Sequence, residues 1–425
     1  MSGFSAMLGN PPFVFARDNL GSAEKNFLVG NFPESQYQTN LYVLFIIHSL
    51  RQSQDGTIGL ITPNNWMTLM TGESLRRHLL NHSTVIEKGG RTVISNSGLL
   101  IIPHPPGQFI GAAVDTLSLV MLANSRLSFT TDAAFGTLED ELPRSPFILA
   151  SMAARDSKVE LVPELFIEKS RINPTFAISP RVFIEPGAFD FLEHFSNQDV
   201  SVRLNEVTLV KSGFVAYSVG RGVPKISKEM MKQRVYHSDS QVSPEWSKYL
   251  EGADVQRYEL DWSGGWVLYG ENLAEPRTES LYSGERIVVR QIPNKPPYCI
   301  HATLCPEEYF NDRNSMIVKC DDSPYDVLFI LSVINSKLIS RWFDLFFDKF
   351  QRNVFPQFKI GELALFPIPN LNLESVEDKK IHDDIVTLTR QRLDCEAELQ
   401  DEIELKLEEL IVQTFKFEGI EEIEV

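Results

Sequence analysis

Four consecutive residues near the start of the sequence combine side chains that could hold an aromatic amine in position for chemistry. They follow a short apolar strand predicted over residues 5–9, and they are Asn10, Pro11, Pro12 and Phe13. The side-chain oxygen of Asn10 and the carbonyl of Pro11 can each accept one hydrogen of an amine such as N6 of adenine. These two hydrogen bonds would orient the amine so that its nitrogen lone pair points at a methyl donor. The prolines would fix the loop, and Phe13 would stack on a base that has left the duplex.

The elements around this motif alternate between strands and helices. Apolar periodicity and turn residues predict helices over 40–53 and 71–81, and strands over 57–62 and 116–122. Strands this apolar, alternating with helices, favour a mostly parallel sheet. The simpler interpretation of the motif is that Asn-Pro-Pro forms only a rigid turn.

Three segments in order give the first half a family resemblance. The stretch 3–13, the helix start 40–45 (Asn-Leu-Tyr-Val-Leu-Phe) and the strand and loop 55–66 resemble N6-adenine DNA methyltransferases of the gamma class, with Thr57 where a glycine is usual. The resemblance implies an α/β fold with a partial Rossmann-like sheet, and it implies the roles given above for Asn10 and Phe13. The segment 108–116 looks like the place where Phe109 closes on the other face of the flipped base; the alternative is that Phe109 is core.

The same resemblance implies S-adenosyl-L-methionine as cofactor. In the family, a glycine-rich turn and a carboxylate upstream of the catalytic loop build the cofactor site. The remaining glycine pairs, Gly89-Gly90 and Gly220 with Gly222, are in the wrong place for that turn. We therefore expect the cofactor site to be largely absent from this chain, the isolated chain to be inactive, and an N-terminal methyltransferase half or a partner subunit to supply the site.

Residues 203–370 resemble the target-recognition domain of TaqI-like and Type IIG restriction–modification enzymes. The resemblance lies in the segments 217–224, 250–258, 283–290, 334–338 and 366–369. It implies double-stranded DNA as the partner. Candidate contacts to phosphates or base edges are Arg221, Lys225, Lys228, Lys232, Arg257, Arg286 and Arg290. The alternative for the last three is that they form structural ion pairs, for example with Asp254 or Glu285.

The net charge of −17 is unfavourable for binding DNA, but most of it is concentrated in one segment. Residues 371–425 contain 17 acidic and 6 basic side chains, so they carry −11 of the total. A mildly acidic body can still present a local basic surface, which is what phosphate contacts require.

The composition of the sequence argues against a membrane protein, a secreted protein and a zinc-binding protein. No apolar run is long enough to span a bilayer, no signal peptide is recognisable, and the four cysteines have no C-x-x-C spacing. We therefore expect a cytoplasmic protein with no membrane association and no metal site.

Four regions are predicted. They are the C-terminal half of a methyltransferase domain (1–130), a connector (131–185), an α+β recognition domain (186–370) and an acidic helical tail (371–425). Within the last two, strands are predicted over 207–210, 213–219, 286–291 and 315–319, one helix over 327–347, and a helix or helical pair over 376–413.

The sequence therefore predicts a site-specific adenine-N6 DNA methyltransferase module of a restriction–modification or phage-defence system. Two alternatives stay open. One is a DNA-specificity subunit without catalysis, and the other is a methyltransferase acting on protein glutamine or on RNA.

Overall fold

The structure is a computed structural model, and it divides into two compact units. The described residues are 4, 6–14, 20–32, 40–53, 57–68, 72–81, 83–88, 91–96, 98–104, 116–122, 146–155, 158–168, 172, 182, 185, 187–307, 309–347, 349–351 and 356–417. Unit 1 comprises 1–189 with 346–348, and unit 2 comprises 190–345 and 349–425. No helix of the described residues is long and apolar enough to cross a membrane.

Unit 1 is built on a six-stranded sheet of order β1-β2-β6-β5-β7-β8, with a separate hairpin of β3 and β4. Its elements are β1 (Ala6–Gly9), α1 (Ser22–Asn31), α2 (Leu41–Gln52), β2 (Thr57–Pro63), α3 (Asn65–Thr68), α4 (Glu73–Asn81), β3 (Ser83–Lys88), β4 (Arg91–Asn96), β5 (Gly98–Pro103), β6 (Thr116–Leu122), β7 (Pro146–Arg155) and β8 (Lys158–Glu168). The predicted strands and helices around the Asn-Pro-Pro-Phe motif are therefore present, within one or two residues of their expected ends.

The prediction of a mostly parallel sheet is wrong. Only β1 with β2 and β5 with β7 are parallel, whereas β6 runs antiparallel to both of its neighbours, β2 and β5. Apolar strands signal burial on both faces, which a mixed sheet also provides. The unit is thus mixed α/β.

The predicted connector also contains regular structure. Strands β7 and β8 form a long antiparallel hairpin, paired from Pro146 with Glu168 to Arg155 with Lys158, and β7 adds this hairpin to the edge of the sheet. The proline and charged residues in this region are also compatible with a hairpin at the edge of a sheet, where both are tolerated.

The core of unit 1 lies between the sheet and helices α2 and α4. Asn40 starts α2 by accepting a hydrogen bond from the backbone N–H of Tyr42, and the apolar face of the helix buries Ile46, Ile47 and Leu50. Strand β2 supplies Leu60 to the same cluster. Burying these side chains fixes β2, and with it the neighbouring β1.

Unit 2 contains two four-stranded sheets, of order β10-β19-β16-β17 and β11-β15-β12-β18, and two smaller sheets. The elements from residue 188 onward are α5 (Ala188–His194), β9 (Ser201–Arg203), α6 (Leu204–Val207), β10 (Leu209–Ser212), α7 (Lys228–Gln233), β11 (His237–Ser238), β12 (Trp246–Leu250), β13 (Val255–Gln256), β14 (Glu259–Leu260), β15 (Trp266–Leu268), β16 (Arg286–Arg290), β17 (Ala302–Cys305), β18 (Tyr309–Asn311), β19 (Ser315–Lys319), α8 (Val327–Asn335), α9 (Lys337–Phe347), α10 (Ile360–Leu363), β20 (Pro367–Pro369), α11 (Val376–Asp394) and α12 (Ala397–Thr414).

Two predictions for unit 2 need correction. The helix expected over 327–347 is two helices, broken at Ser336, whose hydroxyl accepts the N–H of Ile339 and starts α9. The strand expected over 213–219 forms only isolated bridges. A Cβ on Gly213 would lie 2.2 Å from the carbonyl oxygen of Asn311, so the backbones approach too closely for an ordinary ladder.

The break between α8 and α9 also positions strand β17. The buried side chain of Asn335 makes two hydrogen bonds to Ala302, accepting its N–H at 3.0 Å and donating to its carbonyl at 2.9 Å. Asn335 thereby acts as one more strand residue beside β17. The Asn-Ser-Lys-Leu sequence at 335–338 thus has a structural role.

Candidate functional site

The Asn-Pro-Pro-Phe loop begins directly at the carboxyl end of β1. Asn10 is exposed, Pro11 is buried, and Phe13 is half-buried against the core, with its ring edge-on to that of Tyr42 at 6.4 Å. The carbonyl of Val14 accepts the N–H of Leu41 at 2.8 Å, which ties the far end of the loop to α2. The loop is therefore held at Pro11, Phe13 and Val14, while the amide of Asn10 stays open to a ligand.

The loop after β2 lies at the same edge of the sheet as the Asn10 loop, because β1 and β2 are parallel. Side-chain hydrogen bonds hold it in place. The Trp66 indole N–H donates to Thr62 at 3.2 Å, and the guanidinium of Arg76 donates to the Trp66 carbonyl at 2.7 Å. Burial lowers the pKa of Arg76 to about 10, against the opposing effect of Glu73, and leaves it a cation at neutral pH. The Pro-Asn-Asn-Trp segment predicted from the sequence is thus a rigid neighbour of the Asn10 loop.

His104 is a residue at this edge that the sequence analysis missed. It follows β5, and its Nδ1 and Nε2 lie 2.8 Å and 2.9 Å from the hydroxyl oxygens of Thr116 and Ser118 at the start of β6. Burial lowers the pKa of His104, so the ring is neutral at pH 7. Its position directly after a strand of unbroken apolar residues was the signal available. Phe109 lies between His104 and Thr116, outside the described residues.

Four of the predicted DNA-contacting cations lie in one surface segment of unit 2. Arg221, Lys225, Lys228 and Lys232 are exposed, and helix α7 buries none of its residues. Gly222 has φ of +79°, and a Cβ there would lie 2.5 Å from the Asn272 carbonyl oxygen, so this turn requires glycine. Of the four, Arg221 is paired with Glu275, and no described acidic side chain pairs with the three lysines.

Two other predicted contacts are corrected, because the structure gives them internal partners. Arg286 is fully buried and donates to the carbonyl oxygens of Tyr282 and Tyr309. Arg257 is almost as enclosed, and it donates to Glu404 on α12 at 2.5 Å. Neither guanidinium can reach a phosphate without leaving these partners. The alternative of a structural ion pair holds for Arg257, with Glu404 in place of the acids named from the sequence, whereas Arg286 is held by carbonyl groups.

The acidic helices α11 and α12 belong to the same network. Both carboxylate oxygens of Glu408 accept the backbone N–H of Lys337, at 2.9 Å and 3.0 Å, which caps helix α9. Burial raises the pKa of Glu408 from 4.5 to about 7, outweighing that hydrogen bond and the nearby Arg257. The folded state therefore holds the proton of Glu408 more tightly than the unfolded state does.

We expect this proton to make stability depend on pH. The contribution of Glu408 is fully present below about pH 4.5 and is lost as pH rises through about 7, by on the order of 3 kcal/mol. Glu408→Gln, which cannot ionise, should remove this fall from denaturant unfolding curves recorded between pH 5 and pH 8. If variant and parent lose stability equally over that range, Glu408 is ionised throughout.

Comparisons with known proteins match two segments of the chain to family models. Residues 1–88 match the family described as Eco57I restriction-modification methylase, and residues 247–368 match the TaqI-like C-terminal specificity domain. One segment of the chain is therefore similar to restriction–modification methylases, and a later segment is similar to TaqI-like specificity domains. This confirms the family resemblance in both halves.

Longer matches agree with this. The putative type II restriction enzyme and methyltransferase RM.MjaORFECS2P of Methanocaldococcus jannaschii is 22% identical over 424 residues, which cover 96% of this chain and 30% of the relative. The chain thus spans less than a third of that relative's length. The solved structure of the Type IIL restriction–modification enzyme MmeI in complex with DNA aligns with 97% of this chain and 55% of its own, at 9% identity and a TM-score of 0.53, and it shows a shared fold.

Proposed function

We propose that this chain is the base-binding and DNA-recognition part of a site-specific adenine-N6 DNA methyltransferase from a restriction–modification system. The observation that carries the proposal is the exposed amide of Asn10, held at a strand end by the buried Pro11, within the segment that matches a methylase family. An exposed amide beside a rigid diproline is what is needed to accept the hydrogens of an exocyclic amine.

In the proposed reaction, adenine leaves the duplex and enters the edge of the sheet beside Asn10. The Asn10 side-chain oxygen and the Pro11 carbonyl accept the two N6 hydrogens, and Phe13 supplies an aromatic face for the base. S-adenosyl-L-methionine, when bound, supplies the methyl group. The described residues fit the amine side of this reaction, and they contain no glycine-rich strand-to-helix turn for the cofactor.

Strand β1 is exposed, which supports the proposal that another polypeptide segment packs against it and completes the cofactor site. In the described part of the chain β1 is a terminal strand of the sheet, and Leu8 on it is 86% exposed. The backbone groups of an edge strand can pair with another strand, and exposed large apolar side chains mark surfaces that other polypeptide covers. We infer that a methyltransferase segment outside these 425 residues covers β1 and brings the cofactor to Asn10.

The proposed activity is tested by co-expressing this chain with the methyltransferase segment encoded immediately upstream in the genome. The assembled protein, labelled S-adenosyl-L-methionine and duplex DNA should yield labelled N6-methyladenine on nucleoside analysis. Label in cytosine, in protein or in RNA alone would overturn the adenine assignment.

The DNA contact is proposed to lie on the surface formed by residues 219–242. This segment contains five cations and two acids, so it is positive in an acidic chain. It also exposes apolar side chains, among them Val223 and Val242. Cations beside exposed apolar groups suit a surface that meets both phosphates and the groove.

The triple variant Lys225→Glu, Lys228→Glu, Lys232→Glu should weaken duplex binding. If each lysine neutralises a phosphate, the slope of log affinity against log salt should fall by about 0.9 for each, or roughly 3 in all. Fluorescence anisotropy titrations between low and moderate salt measure both quantities. A triple reversal at Lys379, Lys380 and Lys406, which are exposed on α11 and α12, is the charge-matched control; an equal loss in both variants would show only a general field effect.

A further inference from the structure

A cleft of about 520 Å³ lies in unit 2 at the base of the 219–242 surface. Its polar lining includes Arg234, His237, Glu251, Arg290, Asp312 and Asn314. These residues come from four separate stretches of sequence, so no local motif marks the cleft. Its volume lies within the range of roughly 300–1,000 Å³ that is common for ligand sites.

Hydrogen bonds among aromatic residues hold one wall of this cleft in place. The backbone N–H of Tyr236 donates to the Tyr217 hydroxyl at 2.8 Å, and that hydroxyl lies 2.9 Å from Nδ1 of His237. Burial, with the nearby Arg234, lowers the pKa of His237 to about 4. The ring is therefore neutral, and the positive charge of the cleft comes from its two arginines.

Those two arginines are weakly engaged. Arg290, at the end of β16, is half-buried, and no described acidic side chain forms an ion pair with it. Its backbone is fixed, because its N–H donates to the His301 carbonyl at 2.9 Å. Arg234 has a left-handed backbone (φ 49°) and meets Glu251 only at 3.4 Å, with both side chains about half exposed. Both guanidiniums are thus available to a ligand.

The acids beside them argue against phosphate as that ligand. The carboxylate of Asp312 is occupied, since the backbone and side-chain N–H groups of Asn314 both donate to it at 2.9 Å. Glu251 is exposed and retains acceptor capacity. A carboxylate next to arginines repels phosphate, whereas a base-pair edge presents acceptors and donors side by side. Arginine matches O6 and N7 of guanine, and glutamate accepts from N4 of cytosine.

We propose that this cleft reads a G·C base pair of the target site, with Arg290 as the guanine-reading residue and Glu251 as the acceptor for cytosine. The assignment rests on the proposed function, because it presupposes that unit 2 binds duplex DNA. It differs from the role of the 219–242 lysines, which hold the backbone and carry no sequence information.

The test is selection from a duplex library with randomised base pairs, using the full chain. The parent should enrich a motif containing at least one G·C pair. Arg290→Ala should lose the preference at one such position, by about 5- to 150-fold, while the other positions persist. Arg290→Lys keeps the charge but not the two-pronged fork, so it should lose the same position. Thermal melting of both variants identifies any that fail to fold.

Lys228→Ala is the matched control, and it should weaken binding to all sequences without changing the motif. An unchanged motif in both folded Arg290 variants, or a parental motif with no G·C pair, would overturn the assignment while leaving DNA binding intact. Failure of the parent to bind any duplex would instead refute the proposed DNA-binding function itself, and this inference with it.

Discussion

Asn10→Ala is expected to lower the rate of methyl transfer by about 10²–10³ in the assembled enzyme, while duplex binding stays within a few-fold of the parent. The substitution removes one of two acceptors for the N6 hydrogens, and loss of one preorganised hydrogen bond of this kind costs about 2.7–4 kcal/mol of barrier. Folding should be unaffected, because Asn10 is exposed whereas Pro11 and Phe13 hold the loop.

Two further variants separate chemistry from base binding. Phe13→Ala removes a stacking face worth roughly 1–3 kcal/mol, so it should change the signal of an adenine analogue that fluoresces when unstacked. Asn10→Ala should keep that signal. Asn64→Ala makes the same substitution after the neighbouring strand β2, and it should leave turnover near the parental rate. Parental turnover by Asn10→Ala would leave the loop a simple turn and favour the alternative of a specificity subunit without catalysis.

Local sequence signals predicted the elements that hold this loop. The apolar spacing over 40–53 predicted α2 to within one residue of each end, and Pro63 marked the end of β2. Such signals act over a few residues, and the structure uses them as the sequence presents them. The position of Asn10 at a strand end could therefore be predicted.

Strand direction and the partners of charged side chains could not be predicted in this way. Whether β6 runs parallel or antiparallel to β2 depends on the path of the segment that follows β5, which periodicity does not encode. Arg286 stands at the start of an apolar strand, where a cation is usually exposed, yet neighbouring carbonyl groups enclose it. The two residues proposed to read a base pair, Arg290 and Glu251, belong to separate elements of unit 2, so only the fold reveals that they line one cleft.

The partners of Arg257 decide between its two predicted roles, a contact to DNA and a structural ion pair. Its Nε donates to the carbonyl of Asn335 at 3.0 Å, Nη1 lies 2.5 Å from Glu404, and its guanidinium carbon lies 3.8 Å above the ring of Tyr298. On α11, Arg392 contacts the other oxygen of Glu404 at 2.6 Å. The Arg257 side chain is only 12% exposed. It therefore ties the loop between β13 and β14 to helices α8 and α12 from a largely buried position.

Arg257→Ala is expected to lower the free energy of unfolding by about 3–5 kcal/mol, because it leaves the buried Glu404 with one cation in place of two. Denaturant unfolding followed by tryptophan fluorescence measures this. Arg257→Met, Glu404→Leu and Arg392→Met together, which remove all three charges, should recover part of the loss, since apolar replacement of a whole buried network leaves no uncompensated charge. At low temperature, where Arg257→Ala is still folded, its salt slope for duplex binding should equal that of the parent. A normal unfolding curve combined with a slope reduced by about one unit would instead place Arg257 on a phosphate.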